Sequence, residues 1–164
     1  MEKVEFLILR NLLYNEEYVR KVVPFLKAEY FEDFNQKVVF EEILNFVQEY
    51  NTPATKEVLC IETEKRQDIN DSSFKEITDL IGSLEESPAE FNWLVETTEK
   101  WCRDRAIYLA LMESIQLADG KDESKGRDAI PSILSTALSV SFDTNVGHDY
   151  LTDYEERYES YHRK

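Results

Sequence analysis

A chain of 164 residues is one domain, or one domain with an appendage, and its formal net charge of −15 makes it a poor ligand for nucleic-acid phosphates on its own. With 42% hydrophobic and 12% aromatic residues it can bury a sizeable core, and only four glycines and four prolines favour long regular elements. Two distant cysteines, Cys60 and Cys102, with no CxxC spacing, exclude a disulfide framework and a zinc pattern and fit reduced thiols in a cytoplasm.

The opening MEKVEFLILRNLLYNEEY contains an apolar run, but acidic residues flank it and no small-residue cleavage site follows, so it is no signal peptide. No stretch is long enough to span a membrane. VEFLILRNLL (4–13) is apolar on most sides and reads as a buried helix. NEEYVRKVVPFL then sets Tyr18, Val19, Val22 and Val23 on one face before Pro24 stops or kinks the helix. AEYFEDFNQ reads as a short turn region, and QKVVFEEILNFVQEY as an amphipathic helix with Val39, Phe40, Ile43, Phe46, Val47 and Tyr50 at spacings of three and four.

NTPAT is a turn, and Thr55 is placed to cap the helix KEVLCIETEK. After the polar break DINDSS, Ser73 with Glu76 spells a capping box and opens a helix that turns Phe74, Ile77, Leu80, Ile81 and Leu84 inward. SPAEF repeats the signal, with Ser87 as N-cap, Pro88 at the first helical position and Glu90 closing the box. The longest helix follows, to about Ala118, with Phe91, Leu94, Val95, Trp101, Ile107, Ala110, Leu111 and Ile115 as its apolar positions. A charged loop, DGKDESKGRD, separates it from AIPSILSTALS, whose stripe is Ile130, Ile133, Leu134, Ala137 and Leu138. A long helix, a loop and a striped helix make an antiparallel hairpin.

FDTNVG interrupts the pattern, and HDYLTDYEERYESYHRK resumes it with Tyr150, Tyr154, Tyr158 and Tyr161 on one face of a charged helix. Such a narrow aromatic stripe suits a groove on a partner, or folding back onto the chain's own head. The expected fold is therefore all-α. A helical head spans 1–86, a hairpin of the same domain 87–140, and a linker with its terminal helix 141–164. No β-strand and no internal repeat is read.

Catalytic signatures are absent from the string. A phosphate-binding loop needs GxxxxGK[ST], and Gly82, Gly120, Gly126 and Gly147 all lack that context. Glu159 and His162 have the ExxH spacing of di-iron bundles, but in a single copy. His148 and Asp149 are adjacent, so on a helix they point in different directions, and no serine or cysteine completes a nucleophile motif with them. Trp93 and Trp101 sit in an acidic context, EFNWLVETTEKW, that suits packing or a protein interface rather than base stacking. No catalytic, cofactor-binding or metal-ligating residue is expected.

The order of the head motifs carries a resemblance. Glu29-Tyr30-Phe31, then Val39-Phe40-Glu41-Glu42-Ile43-Leu44, then Pro53 through Leu59 follow an apolar first helix and a short acidic turn, as in DnaB-type replicative helicases. SPAEFNWLVETTEKWCRDRA resembles the hairpin helix, and ALSVSFDTNVGHDYLTDYEERYESY the linker region, of the replicative helicases of T-even-type bacteriophages. The chain departs from bacterial members in lacking their Gly-Gly turn before the fifth helix. The resemblance implies a collar domain plus linker helix of a hexameric 5′–3′ helicase working in the cytoplasm of an infected bacterium, with the RecA-like motor, which uses ATP or GTP with Mg, absent from this chain. It implies self-association as a dimer and a trimer of dimers, contacts to primase and the helicase loader, and docking of the linker helix on a neighbouring subunit's motor domain. Trp93, Leu94, Trp101, Ile133 and Leu134 are the candidates for the hairpin and dimer contact. Tyr150, Leu151, Tyr154, Tyr158 and Tyr161 are the candidates for linker docking. The alternative is a stand-alone helical adaptor, loader- or inhibitor-like, that binds such a helicase. A P-loop encoded after Lys164 would separate the two.

Overall fold

The computed structural model describes residues 2–142, and every regular element among them is helical. The readings on the linker helix lie outside the described residues. The elements are α1 (Glu2–Tyr14), α2 (Glu16–Val22), α3 (Phe34–Tyr50), α4 (Lys56–Glu64), α5 (Asp71–Gly82), α6 (Phe91–Ala118) and α7 (Ile130–Leu138). Single 3₁₀ turns at Val23–Phe25, Ala28–Tyr30 and Arg127–Ala129 join them.

The head forms because its apolar stripes converge. Ile8, Leu9 and Leu12 of α1, Tyr18 and Val22 of α2, Phe40 and Ile43 of α3, Leu59 of α4, and Ile77 and Ile81 of α5 are all completely buried. Phe31, from the segment between the 3₁₀ turn and α3, joins them and stacks on Phe40 with ring centroids 5.1 Å apart. Pro24 acts as expected: α2 ends at Val22 and the chain tightens into a 3₁₀ turn around the proline.

The caps divide into those legible in the sequence and those displaced. Thr55 caps α4 as expected, its hydroxyl accepting from the Val58 N–H at 3.2 Å. The Ser73 box does not form. Asn70 has the extended backbone of an N-cap and its carboxamide oxygen accepts from the Ser73 N–H at 2.7 Å, so Ser73 already lies in the first turn. Ser87 is likewise displaced: residues 84–90 are not helical, and Glu90 caps α6 by accepting from the Asn92 and Trp93 N–H groups. The cap of α5 thus lies three residues before the expected one and that of α6 three residues after it. The expected turn over AEYFEDFNQ is also shorter than read, because Asp33 caps α3 through the Gln36 N–H and starts that helix at Phe34.

The long helix α6 has two environments. Its N-terminal half is part of the head, where Leu94, Thr98 and Cys102 are completely buried against α1 and α2. Its C-terminal half leaves the head and pairs with α7. The loop turns back with Lys125 on Glu113 at 2.8 Å and the Arg127 guanidinium on the Ala118 carbonyl at 3.1 Å. The returning arm then runs antiparallel to the base, where Arg103 Nε donates to the Val140 carbonyl at 3.1 Å and the Phe142 N–H donates to Glu99 at 3.0 Å. Among the described residues no helix is long and apolar enough to cross a membrane.

Candidate protein-interaction surfaces

The hairpin's outer surface follows from the helical period of α6. Leu109 and Ala110 face the hairpin interior and Leu117 is buried near the loop. Tyr108, Leu111, Met112 and Ile115, spaced by three, one and three, fall on another face and are 46%, 47%, 42% and 51% exposed. Four large apolar side chains in one row are a contiguous patch, which a lone exposed leucine would not be. Leu138 of α7 is exposed as well. The root of the row is fixed to the head: Arg105 Nε donates to the Tyr30 carbonyl at 2.6 Å, and its guanidinium lies 5.0 Å from the Tyr108 ring centroid.

The residues singled out from the sequence for this contact are distributed differently. Leu94 is completely enclosed by the head and presents no surface to a second copy. Trp101 is mostly committed to the head, its indole N–H donating to Glu5 at 3.1 Å and its ring packing on Phe31 and edge-on to Tyr30. Trp93 is half exposed, but one turn into α6, far along the helix from the hairpin loop. Ile133 and Leu134 are partly buried in the hairpin itself. From the sequence, Leu111 and Ile115 read only as apolar positions of the long helix and Leu138 as part of the α7 stripe. Periodicity finds an apolar face but does not say which neighbour covers it. Tyr150, Leu151, Tyr154, Tyr158 and Tyr161 lie outside the described residues.

No group of three or more His, Cys, Asp or Glu that could hold a metal ion occurs among the described residues. Burial, with a smaller contribution from Glu99, pushes the Cys102 thiol up to about 12, so it is fully protonated at neutral pH and shut away from reagents. Cys60 is also raised by burial. The buried tyrosines serve packing: the Tyr18 hydroxyl meets Thr98 Oγ1 at 2.6 Å and ties α2 to α6.

The described residues are all-helical, as the helical periodicity of the sequence led us to expect. No family model matches the chain. It is, however, 34% identical over 166 residues to a DnaB-like replicative helicase of Enterobacteria phage T4, an alignment that covers 96% of this chain. The chain is a relative of DnaB-like replicative helicases. It spans 35% of that helicase's length, so it corresponds to a portion of the phage protein.

Proposed function

We propose that the chain is the non-catalytic, N-terminal assembly and partner-binding part of a hexameric, ATP-dependent 5′–3′ replicative helicase of a phage, acting inside the infected bacterium. The observation that carries this is the exposed row Tyr108, Leu111, Met112 and Ile115 on an arm held away from the head core. A second copy presenting the same row would bury it in a two-fold contact, the commonest symmetry of self-association. Three such dimers would close a hexameric collar. ATP or GTP with Mg belongs, on this reading, to the part of the helicase that this chain does not match. The head supplies surface for primase and the helicase loader, and Tyr150, Leu151, Tyr154, Tyr158 and Tyr161 dock on a neighbouring subunit's motor domain.

Sedimentation equilibrium tests the central point. The 164-residue chain is expected to dimerise, and Leu111→Glu with Ile115→Glu to render it monomeric while its helical circular dichroism is unchanged, since both side chains are already about half exposed. A strict monomer at high protein concentration would contradict the reading. So would robust ATP hydrolysis by the purified chain.

A further inference from the structure

The apolar stripe of α3 is longer than the core that covers it. Val39, Phe40 and Ile43 are completely buried, but one turn later Phe46 is only partly covered and Tyr50 is 59% exposed. Phe46 and Tyr50 pack on each other, ring centroids 4.7 Å apart. Opposite them, α4 presents the half-buried Val58 and Ile61, the latter 49% exposed. These four side chains line an open groove of about 670 Å³ between the two helices. No residue of the hairpin belongs to it.

The charged residues that line the groove are all acidic. Glu42, Glu49 and Glu62 line it, and no lysine or arginine does. Glu42 is neutralised by Arg66 at 2.8 Å, and Glu62 is approached by Lys65 at 3.2 Å in an exposed pair. Glu49 has no ion-pair or hydrogen-bond partner among the described residues and is exposed.

We infer that this α3–α4 groove docks a basic amphipathic helix of a partner protein. Its apolar residues would sit between Tyr50 and Ile61, and its lysines or arginines would meet Glu49 and the outer oxygen of Glu62. Charge selects this occupant over the others at hand. A second copy of this chain carries a net −15, and nucleic acid is a polyanion. The chain's own residues 143–164 contain six Asp and Glu against three Lys and Arg, so they too are repelled. Helix-in-groove recognition needs an apolar anchor row with a polar rim, which is what α3 and α4 offer. The inference deepens the partner-binding part of the proposed function and is independent of self-association through the hairpin.

The test uses the isotope-labelled 164-residue chain and two synthetic helical peptides, with leucines at helical spacing and either lysine or glutamate elsewhere. The lysine peptide is expected to shift amide resonances clustered at residues 45–50 and 58–62, and the glutamate peptide to leave them in place. Tyr50→Ser with Ile61→Ser should weaken the lysine peptide about tenfold or more, and Glu49→Lys should weaken it several-fold. Shifts scattered over the acidic surface, affinities unmoved by these variants, or equal binding of the glutamate peptide would each overturn the proposal. Sedimentation of the groove variants keeps the two readings apart: their self-association should match that of the unaltered chain. A loss of association there would make a second copy the occupant and overturn the proposal.

Discussion

Tyr18 shows how a polar atom is carried into the core. The residue is completely buried, and Thr98, also completely buried, already donates its own hydroxyl proton to the Leu94 carbonyl at 2.8 Å. The 2.6 Å contact therefore has Tyr18 as donor and Thr98 as acceptor, and both hydroxyl protons are used. Tyr18→Phe removes one buried hydrogen bond with little change in shape and should cost about 1 kcal/mol in urea unfolding. Buried ionisable groups also set the response to alkali. Burial, followed by the nearby thiol and Glu29, pushes Tyr30 up to about 12; burial likewise raises Cys102 to about 12 and Tyr18 further still. Unfolded, the thiol loses its proton near pH 9.0 and the tyrosines near 10.0, while the folded chain keeps all three. The unfolded state then binds fewer protons, so stability falls as pH rises. The urea midpoint should be flat through neutral pH and drop from about pH 9 toward about pH 12, and Cys102→Ala should make the part of the drop that begins near pH 9 shallower, the rest of it there coming from Cys60.

At the scale of elements, two joints decide where the helices stop. Asn51 ends α3 in the left-handed region, φ 57° and ψ 36°, with its N–H donating to the Val47 carbonyl at 2.7 Å. Asn51→Gly should hold or slightly raise the thermal midpoint, and Asn51→Ala should cost about 1 kcal/mol, because only glycine and asparagine take that backbone easily. The second joint is the return of the hairpin. Phe142 is 5% exposed and stacks on Phe25 with ring centroids 4.6 Å apart and planes 19° apart, while its N–H donates to Glu99. It staples the end of the returning arm to the head. Phe142→Ala should cost about 3 kcal/mol and speed amide exchange in α7 more than in α1. SFDTNVG in the sequence signals only the end of a helix; that its phenylalanine is a core residue depends on Phe25, more than a hundred positions earlier.

For the whole molecule, the net charge of −15 works against compaction and in favour of selectivity. Salt screens the self-repulsion, so the thermal midpoint should rise from low to moderate ionic strength. The same change should weaken the lysine peptide at the α3–α4 groove and hold or strengthen hairpin self-association, since the row Tyr108, Leu111, Met112 and Ile115 is uncharged and salt screens the repulsion between two copies of −15 each. The two surfaces are thus distinguishable by salt alone. One is apolar and stands on an arm beyond the head core. The other is an apolar groove with an acidic rim on the head.

Among the described residues the order and approximate limits of the helices were legible in the sequence, because a 3.6-residue period in a chain with few glycines and prolines has no competing solution. The motif order also pointed to the helicase relationship that the 34% identity bears out. What the sequence could not assign was the partner of each apolar face. Leu94 and Leu111 are both apolar positions of α6, yet one is completely enclosed and the other 47% exposed. Tyr50 continues the stripe of Ile43 and is exposed for the same kind of reason. A stripe fixes which side of a helix avoids water; only the packing of the other helices decides how far along its length a neighbour is there to cover it.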